Sequence, residues 1–158
     1  MKATPEMTSL AMDVLEEAHA LERGNLKFDA KTVGAWARCF TGQQVWPEEA
    51  LEAVRVHYQQ ANAYPIKPGD VIAYCEAQPV WSSPEHVNHF LDTWSQFPYA
   101  TVIEEHSGIR PPEFEVPDSV PREERRQYLV RELARWINDN RDALVAAILK
   151  RRHKAVEQ

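Results

Sequence analysis

The sequence is poor in glycine, with 5 among 158 residues. It has no Gly-x-Gly-x-x-Gly run, no Walker A pattern, no Gly-x-Ser-x-Gly elbow and no His-Glu-x-x-His motif. These absences exclude the common glycine-rich phosphate loops and the usual sequence signatures of hydrolases and zinc proteases. We therefore expect a protein that is not an enzyme, with no catalytic residues, no cofactor and no metal site.

Long apolar runs are also missing. No stretch approaches the roughly 20 consecutive apolar residues that a membrane-spanning helix needs. The first residues, Met1 and Lys2, are followed by Thr4, Pro5 and Glu6 and not by the apolar segment of a signal peptide. We expect a cytoplasmic protein that has no membrane partner.

Residues that bind metals or form disulfides are few and widely spaced. Cys39 and Cys75 are the 2 cysteines, and no Cys-x-x-Cys motif is present, so we predict that both are reduced thiols in the core. His86 and His89 are three positions apart and would be neighbours on a helix. No further residues have the spacing that would complete a four-ligand zinc site around them.

Charge is divided unevenly along the chain. Residues 1–120 carry 8 of the 18 Lys and Arg and 18 of the 24 Asp and Glu, whereas residues 121–158 carry 10 and 6. An acidic body repels a phosphate backbone, so we expect it to bind DNA weakly or not at all. The candidates for contact with a nucleic acid or an acidic partner are Lys150, Arg151, Arg152 and Lys154. The alternative is a solvated helix end whose cations match the helix dipole.

Apolar residues recur at helical spacing after a series of helix-start signals. Caps or prolines at Thr4-Pro5, Asp29, Pro47, Pro68 and Ser83-Pro84 each precede apolar residues at helical spacing, and the helix after Pro68 is brief. This pattern predicts an all-α fold in which residues 1–97 form a body of about five short helices.

The amino-acid composition changes after Phe97, because 5 of the 11 prolines fall in the segment from Pro98 to Pro121. We predict a proline-rich linker over residues 98–120, with a short strand at 100–104 as an alternative. Residues 121–158 then predict a long, basic, amphipathic C-terminal helix or two collinear helices, with a kink or cap at Asn138–Asn140.

The apolar stripe of the C-terminal helix must be buried somewhere. It could fold back on the body, pair with a second copy to give a homo-oligomer, or enter the groove of another protein. We therefore name its large apolar residues as candidate partner contacts, together with Trp81, a tryptophan in a turn outside every predicted stripe. The stripe residues are Leu129, Leu133, Trp136, Ile137, Leu144 and Ile148.

Four segments carry a family resemblance. They are Val33-Gly34-Ala35-Trp36-Ala37, Trp46-Pro47, the helix from Ala50 to His57-Tyr58, and Ile66-Lys67-Pro68-Gly69-Asp70-Val71. These segments resemble small helical proteins of actinobacterial phages and prophages, which look similar to the N-terminal domain of phage replicative-helicase loaders. The resemblance covers about residues 8–78. In that family a flexible segment joins the helical domain to a second region that engages the hexameric helicase. The resemblance implies a non-catalytic adaptor of DNA replication that loads or inhibits a replicative helicase.

Two other interpretations remain open. In the first, the third and fourth helices act as the helix-turn-helix of a phage DNA-binding regulator, although the segment Gly69–Tyr74 offers no arginine or lysine to a base pair. In the second, the chain is a structural or assembly protein that oligomerises through its last helix.

Overall fold

The computed structural model describes residues 2–23 and 26–156, and of residues 152–156 it describes the backbone alone. The predicted all-α class is confirmed, because every regular element in these ranges is a helix. The predicted layout of five short helices and one long one is wrong, since the described chain forms eight α-helices and two short 3₁₀ turns. The α-helices are α1 (Pro5–Leu21), α2 (Ala30–Phe40), α3 (Pro47–Tyr58), α4 (Pro68–Ala77), α5 (Pro84–Trp94), α6 (Ala100–Ser107), α7 (Arg125–Asp139) and α8 (Arg141–Val156).

The predicted helix starts are confirmed, and each has a local chemical cause. The Thr4 hydroxyl accepts a hydrogen bond from the Met7 N–H at 3.2 Å, and the Ser83 hydroxyl accepts one from the His86 N–H at 3.2 Å. The Asp29 carboxylate accepts the Thr32 N–H at 2.7 Å, and this bond lowers the pKa of the Asp29 carboxyl. The sequence Gly24-Asn25 predicts the end of the first helix, but these two residues lie outside the described ranges.

The chain divides into two compact units, residues 1–78 and residues 79–158. The predicted body, 1–97, extends beyond that boundary because α5 belongs to the second unit. The apolar face of α5, formed by Val87, Phe90 and Leu91, is buried in one core with residues of α6, α7 and α8. Helical periodicity identifies such a face but does not identify the element that covers it.

The first unit is built from α1 to α4 around one apolar core. The loop over residues 59–67 is fixed by side chains of α3 and α4. Tyr58 accepts the Ile66 N–H at 3.1 Å, and the His57 Nε2–H donates to the Tyr64 carbonyl at 2.6 Å. Asp70 accepts both the Lys67 N–H and the Tyr64 hydroxyl. The connection between α3 and α4 is therefore a held loop and not a short turn.

The second unit contains the whole segment predicted as a linker, residues 98–120. Residues 100–107 form helix α6 and not the alternative strand, with Ile103 and Ser107 buried one turn apart. The Ser107 hydroxyl donates to the Ile103 carbonyl at 2.6 Å, and Gly108 ends the helix at a φ of 75°. A helix this short spans too few turns for its periodicity to stand out among prolines.

The C-terminal region folds back within the second unit. Asn140 caps the end of α7, and its side-chain amide donates to the Trp136 carbonyl at 2.8 Å, so the predicted cap at Asn138–Asn140 is confirmed. The core formed with α5 and α6 takes up the stripe residues Leu133, Ile137, Leu144 and Ile148. Among the described residues, no helix combines the length and the apolar composition needed to cross a bilayer.

The two cysteines differ in exposure, so the prediction of two core thiols is wrong for Cys39. Cys75 is fully buried, whereas Cys39 is exposed on α2, because it falls outside the inward positions Val33, Trp36, Ala37 and Phe40. Burial raises the pKa of the Cys75 thiol to about 11, and a buried protonated thiol is a poor nucleophile.

We expect iodoacetamide at neutral pH to alkylate Cys39 in the folded protein and Cys75 only after denaturation. Intact-mass spectrometry should therefore show one adduct on the native chain and two adducts in guanidinium. A Cys39→Ser variant is the matched control, and it should give no adduct until it is unfolded. Equal labelling rates at the two thiols in the native chain would contradict the burial of Cys75.

Candidate protein-interaction site

The predicted partner-binding residues separate into buried and half-exposed groups. Leu133 is 2% exposed, Ile137 and Leu144 are 0% exposed, and Ile148 is 1% exposed. These four side chains pack in the core of the second unit. The prediction that they contact a partner is therefore wrong. The face that would have needed a partner is covered by α5 and α6.

Three candidates remain partly accessible. Leu129 and Trp136 on α7 are half-buried, and so is Trp81, which lies in the 3₁₀ turn Val80–Ser82. Trp81 and Trp136 both pack against the second core while keeping part of their surface exposed. Large aromatic side chains of this kind are common centres of protein interfaces.

Of the basic residues predicted to contact a nucleic acid or an acidic partner, Arg151 makes a contact within the fold and Lys150 is exposed. Lys150 and Arg151 are exposed, and the Arg151 guanidinium donates to the Glu105 carbonyl at 2.5 Å, near the last turn of α6. Arg151 thus satisfies a carbonyl group where the dipole of α6 favours a cation. The side chains of Arg152 and Lys154 lie outside the described residues.

A groove lies between the segment 98–114 and α7. Its volume is about 450 Å³, within the range of about 300 to 1,000 Å³ that is typical of binding pockets. Leu129 and Leu133 form its α7 side. The apolar residues of its lining are Pro98, Ala100, Pro111, Pro112, Phe114, Leu129 and Leu133.

The groove wall opposite α7 is formed by the segment after α6, which is held by a hydrogen bond, two packed side chains and two prolines. The Ser107 hydroxyl accepts the Ile109 N–H at 3.0 Å just after α6. Ile109 and Phe114 then pack against the second core on either side of the prolines. Proline fixes its own φ angle, so Pro111-Pro112 forms a stiff edge within the segment predicted as a proline-rich linker.

An aromatic cluster formed by Trp94, Phe97 and Tyr99 directly precedes helix α6 in the sequence. The Trp94 and Phe97 ring centroids are 5.5 Å apart, and the Phe97 and Tyr99 rings stack with centroids 5.9 Å apart. Tyr99 is 46% exposed, and Pro98, between two of these residues, lines the groove. Sequence reasoning missed this patch, although three aromatic residues within positions 94–99 were a visible signal.

The two histidines considered as metal ligands have different surroundings. His86 is buried, with its Nδ1 3.3 Å from the Ser82 hydroxyl, whereas His89 is exposed. Within the described ranges, no three His, Cys, Asp or Glu side chains cluster in a way that could hold a metal ion.

Arg141, the first residue of α8, links the junction of α7 and α8 to helix α5. Its guanidinium donates to Asn88 Oδ1 at 3.0 Å, Asp92 Oδ1 at 2.6 Å and Asn138 Oδ1 at 2.9 Å. Asn88 and Asp92 are one turn apart on α5, so this contact fixes the end of α7 against α5.

Replacing Arg141 with Ala should lower the free energy of unfolding by about 1 to 3 kcal/mol, because it removes charge-assisted hydrogen bonds from a largely covered side chain. The control is Arg135→Ala, whose exposed pair with Glu132 at 3.4 Å should contribute about 0.5 kcal/mol or less. Urea unfolding followed by circular dichroism measures both. Equal losses for the two variants would contradict a clamping role for Arg141.

Comparison of the chain with protein-family models, with curated proteins and with solved structures gives no match. The helicase-loader resemblance therefore rests on the four quoted segments alone.

Proposed function

We propose that this chain is a non-catalytic adaptor that binds a protein partner through its second unit. From the resemblance, we propose that the partner is a replicative helicase, which the adaptor loads or inhibits. The observation that carries the proposal is the groove of about 450 Å³, which stays open although the unit buries its long apolar stripe internally.

The construction of the groove suits protein recognition. Its wall is stiffened by Pro111-Pro112 and anchored by Ile109 and Phe114, so little conformational freedom remains to be lost on binding. Leu129 is half-exposed in the lining. The stacked rings of Phe97 and Tyr99 add the residue types that are common at interface centres.

The division of the chain supports the helicase-loader layout. The resemblance ends at about residue 78, and the first compact unit spans residues 1–78. A loader-like unit followed by a different unit is the arrangement that the resemblance implies. The departure is that residues 98–114, predicted as part of a proline-rich linker, contain α6 and a groove wall.

The structure gives less support to the two alternatives, a helix-turn-helix DNA-binding regulator and an assembly protein that oligomerises through its last helix. A helix-turn-helix joins its helices by a turn of about three or four residues, whereas residues 59–67 separate α3 from α4. Homo-oligomerisation through the last helix needed an unpartnered apolar stripe, but Ile137, Leu144 and Ile148 are buried in their own unit.

The test is size-exclusion chromatography with light scattering of the full chain mixed with a purified hexameric actinobacterial replicative helicase. Two tyrosines of similar exposure serve as a matched pair, Tyr99 at 46% in the second unit and Tyr64 at 51% in the first. We expect the wild type and Tyr64→Ala to co-migrate with the helicase, and Tyr99→Ala to bind about tenfold more weakly.

Absence of co-migration by the wild type would overturn the helicase assignment. Loss of binding in Tyr64→Ala, with Tyr99→Ala unaffected, would move the contact to the first unit and overturn the role proposed for the second.

A further inference from the structure

We propose that the groove binds a segment of a partner protein in which an arginine lies beside apolar side chains. This inference rests on the proposed function, because it specifies the chemistry that the second unit recognises. The arginine would pair with Glu104, and the apolar side chains would cover Phe114 and Leu129. Two observations support a cationic ligand, the charge of the lining and the aromatic rings at its edge.

The lining of the groove carries one carboxylate in excess. Its charged residues are Glu104, Arg110 and Glu113. Arg110 lies 4.0 Å from Glu113, so these two charges offset each other. Glu104, on α6, forms no ion pair within the described ranges. The lining therefore complements a ligand that brings a positive charge.

The chain segment that includes the groove wall is acidic as a whole. Residues 98–118 contain five carboxylates and one arginine. Helix α7 contributes Leu129 and Leu133 to the lining, whereas Arg125 and Arg126 at its start do not line the groove. A cation that approaches the wall is therefore attracted by it, while the α7 side of the groove offers apolar contacts.

The aromatic cluster at the groove's edge favours the same charge. Pro98 lines the groove and lies between Phe97 and Tyr99 in the chain, so both side chains branch from the backbone at this edge. The Trp94 ring centroid is 5.5 Å from that of Phe97 and 6.4 Å from that of Tyr99. Tyr99 is 46% exposed, which leaves part of its ring accessible.

These two features together favour arginine over lysine. The face of an aromatic ring attracts cations, and arginine is the more frequent partner in proteins. A planar guanidinium can stack on a ring and donate two parallel hydrogen bonds to a carboxylate, whereas an ammonium acts as a compact point charge.

The composition of the lining favours a protein segment over a small cation or a nucleic acid. Seven of the eleven lining residues are apolar, and a free polyamine has no apolar side chains to cover them. A nucleic acid would bring phosphates, which the carboxylates of residues 98–118 repel. An apolar centre with charged groups at its rim is the usual anatomy of a protein interface.

The experiment is a selection of displayed random peptides against the folded full-length chain, followed by fluorescence anisotropy of an enriched peptide. We expect the enriched peptides to be positively charged, with an arginine beside apolar residues. Glu104→Gln should weaken the chosen peptide about tenfold, because it removes the charge that the arginine meets.

The matched control is Glu105→Gln, an exposed carboxylate of the same helix that does not line the groove. Its contact with Arg151 is made by the main-chain carbonyl, so the substitution leaves that contact intact. The affinity of this variant should stay within about twofold of the wild type, because solvent and salt screen a charge outside the interface.

Two further comparisons identify the groups that meet. Citrulline in place of the peptide's arginine should weaken binding to the wild type about tenfold and binding to Glu104→Gln little, since both changes remove the same pair. Tyr99→Phe should bind within about twofold of the wild type. Tyr99→Leu should bind about fivefold more weakly, because leucine is apolar but has no ring face for the guanidinium.

No enrichment, enriched peptides that are acidic or uncharged, or equal effects of Glu104→Gln and Glu105→Gln would overturn the inference. N-acetyl-arginine amide that binds as tightly as the peptide would assign the site to a small cation and overturn it as well. So would a dimer of the full chain that Glu104→Gln dissociates, because the occupant would then be a second copy.

The outcomes also separate this inference from the helicase assignment. Enriched arginine-bearing peptides without helicase co-migration would keep the groove ligand and reject the helicase. Helicase co-migration without any enriched peptide would keep the helicase and reject the groove ligand.

Discussion

A chain truncated after Gln78 should fold by itself, whereas a chain truncated after Phe97 should expose an apolar helix. The first truncation keeps α1 to α4 and their core intact. The second also keeps α5 but removes α6, α7 and α8, which cover its apolar face. Val87 and Leu91 are 0% exposed and Phe90 is 7% exposed in the full chain, and burial of each such side chain contributes about 1.5 to 3 kcal/mol.

The two truncated chains can be compared by hydrophobic-dye fluorescence and size-exclusion chromatography, with the full chain as control. We expect the 1–78 chain to be monodisperse and to bind little dye, and the 1–97 chain to bind dye strongly and to self-associate. The same low dye binding in both would contradict the assignment of α5 to the second core.

Ile137→Ala should cost about 2 to 5 kcal/mol of unfolding free energy, the range for large-to-small changes in a core. Leu129→Ala should cost about 1 kcal/mol or less, because its half-exposed side chain leaves no closed cavity. The two residues lie on the same helix and come from the same predicted stripe. The comparison therefore separates the part of the stripe that holds the fold from the part that lines the groove.

Chemical denaturation of the full chain, followed by the fluorescence of the tryptophans in the second unit, measures both losses. The two variants test whether Ile137 is a core residue. If Ile137 instead contacted a partner, the Ile137→Ala variant alone in solution would be nearly as stable as the wild type. Equal small losses at the two positions would show that α7 does not form the core described above.

Much of the fold could be predicted because helix starts are local chemistry. Thr4, Asp29 and Ser83 cap helices through bonds to residues three positions ahead, and such pairs are visible in any sequence. Helix α6 could not be predicted in the same way. Its signal is one buried pair, Ile103 and Ser107, inside a stretch whose prolines favoured a linker.

The candidate site was only partly predictable. Amphipathic spacing correctly marked the C-terminal residues as needing cover. It could not identify α5 and α6 as that cover, because the shared core joins residues from distant parts of the chain. Leu129 belonged to the predicted stripe and does line the groove. The opposite wall was missed, since the prolines were interpreted as the mark of a linker, whereas Ile109 and Phe114 anchor the segment on both sides of Pro111-Pro112.

The most direct test of the central claim is amide hydrogen exchange on the full chain with and without the purified replicative helicase. The account predicts slower exchange at residues 109–114, apart from the prolines, and in the first turns of α7, with the first unit unchanged. Protection confined to residues 1–78, or no protection anywhere, would contradict the proposal that the second unit holds the partner.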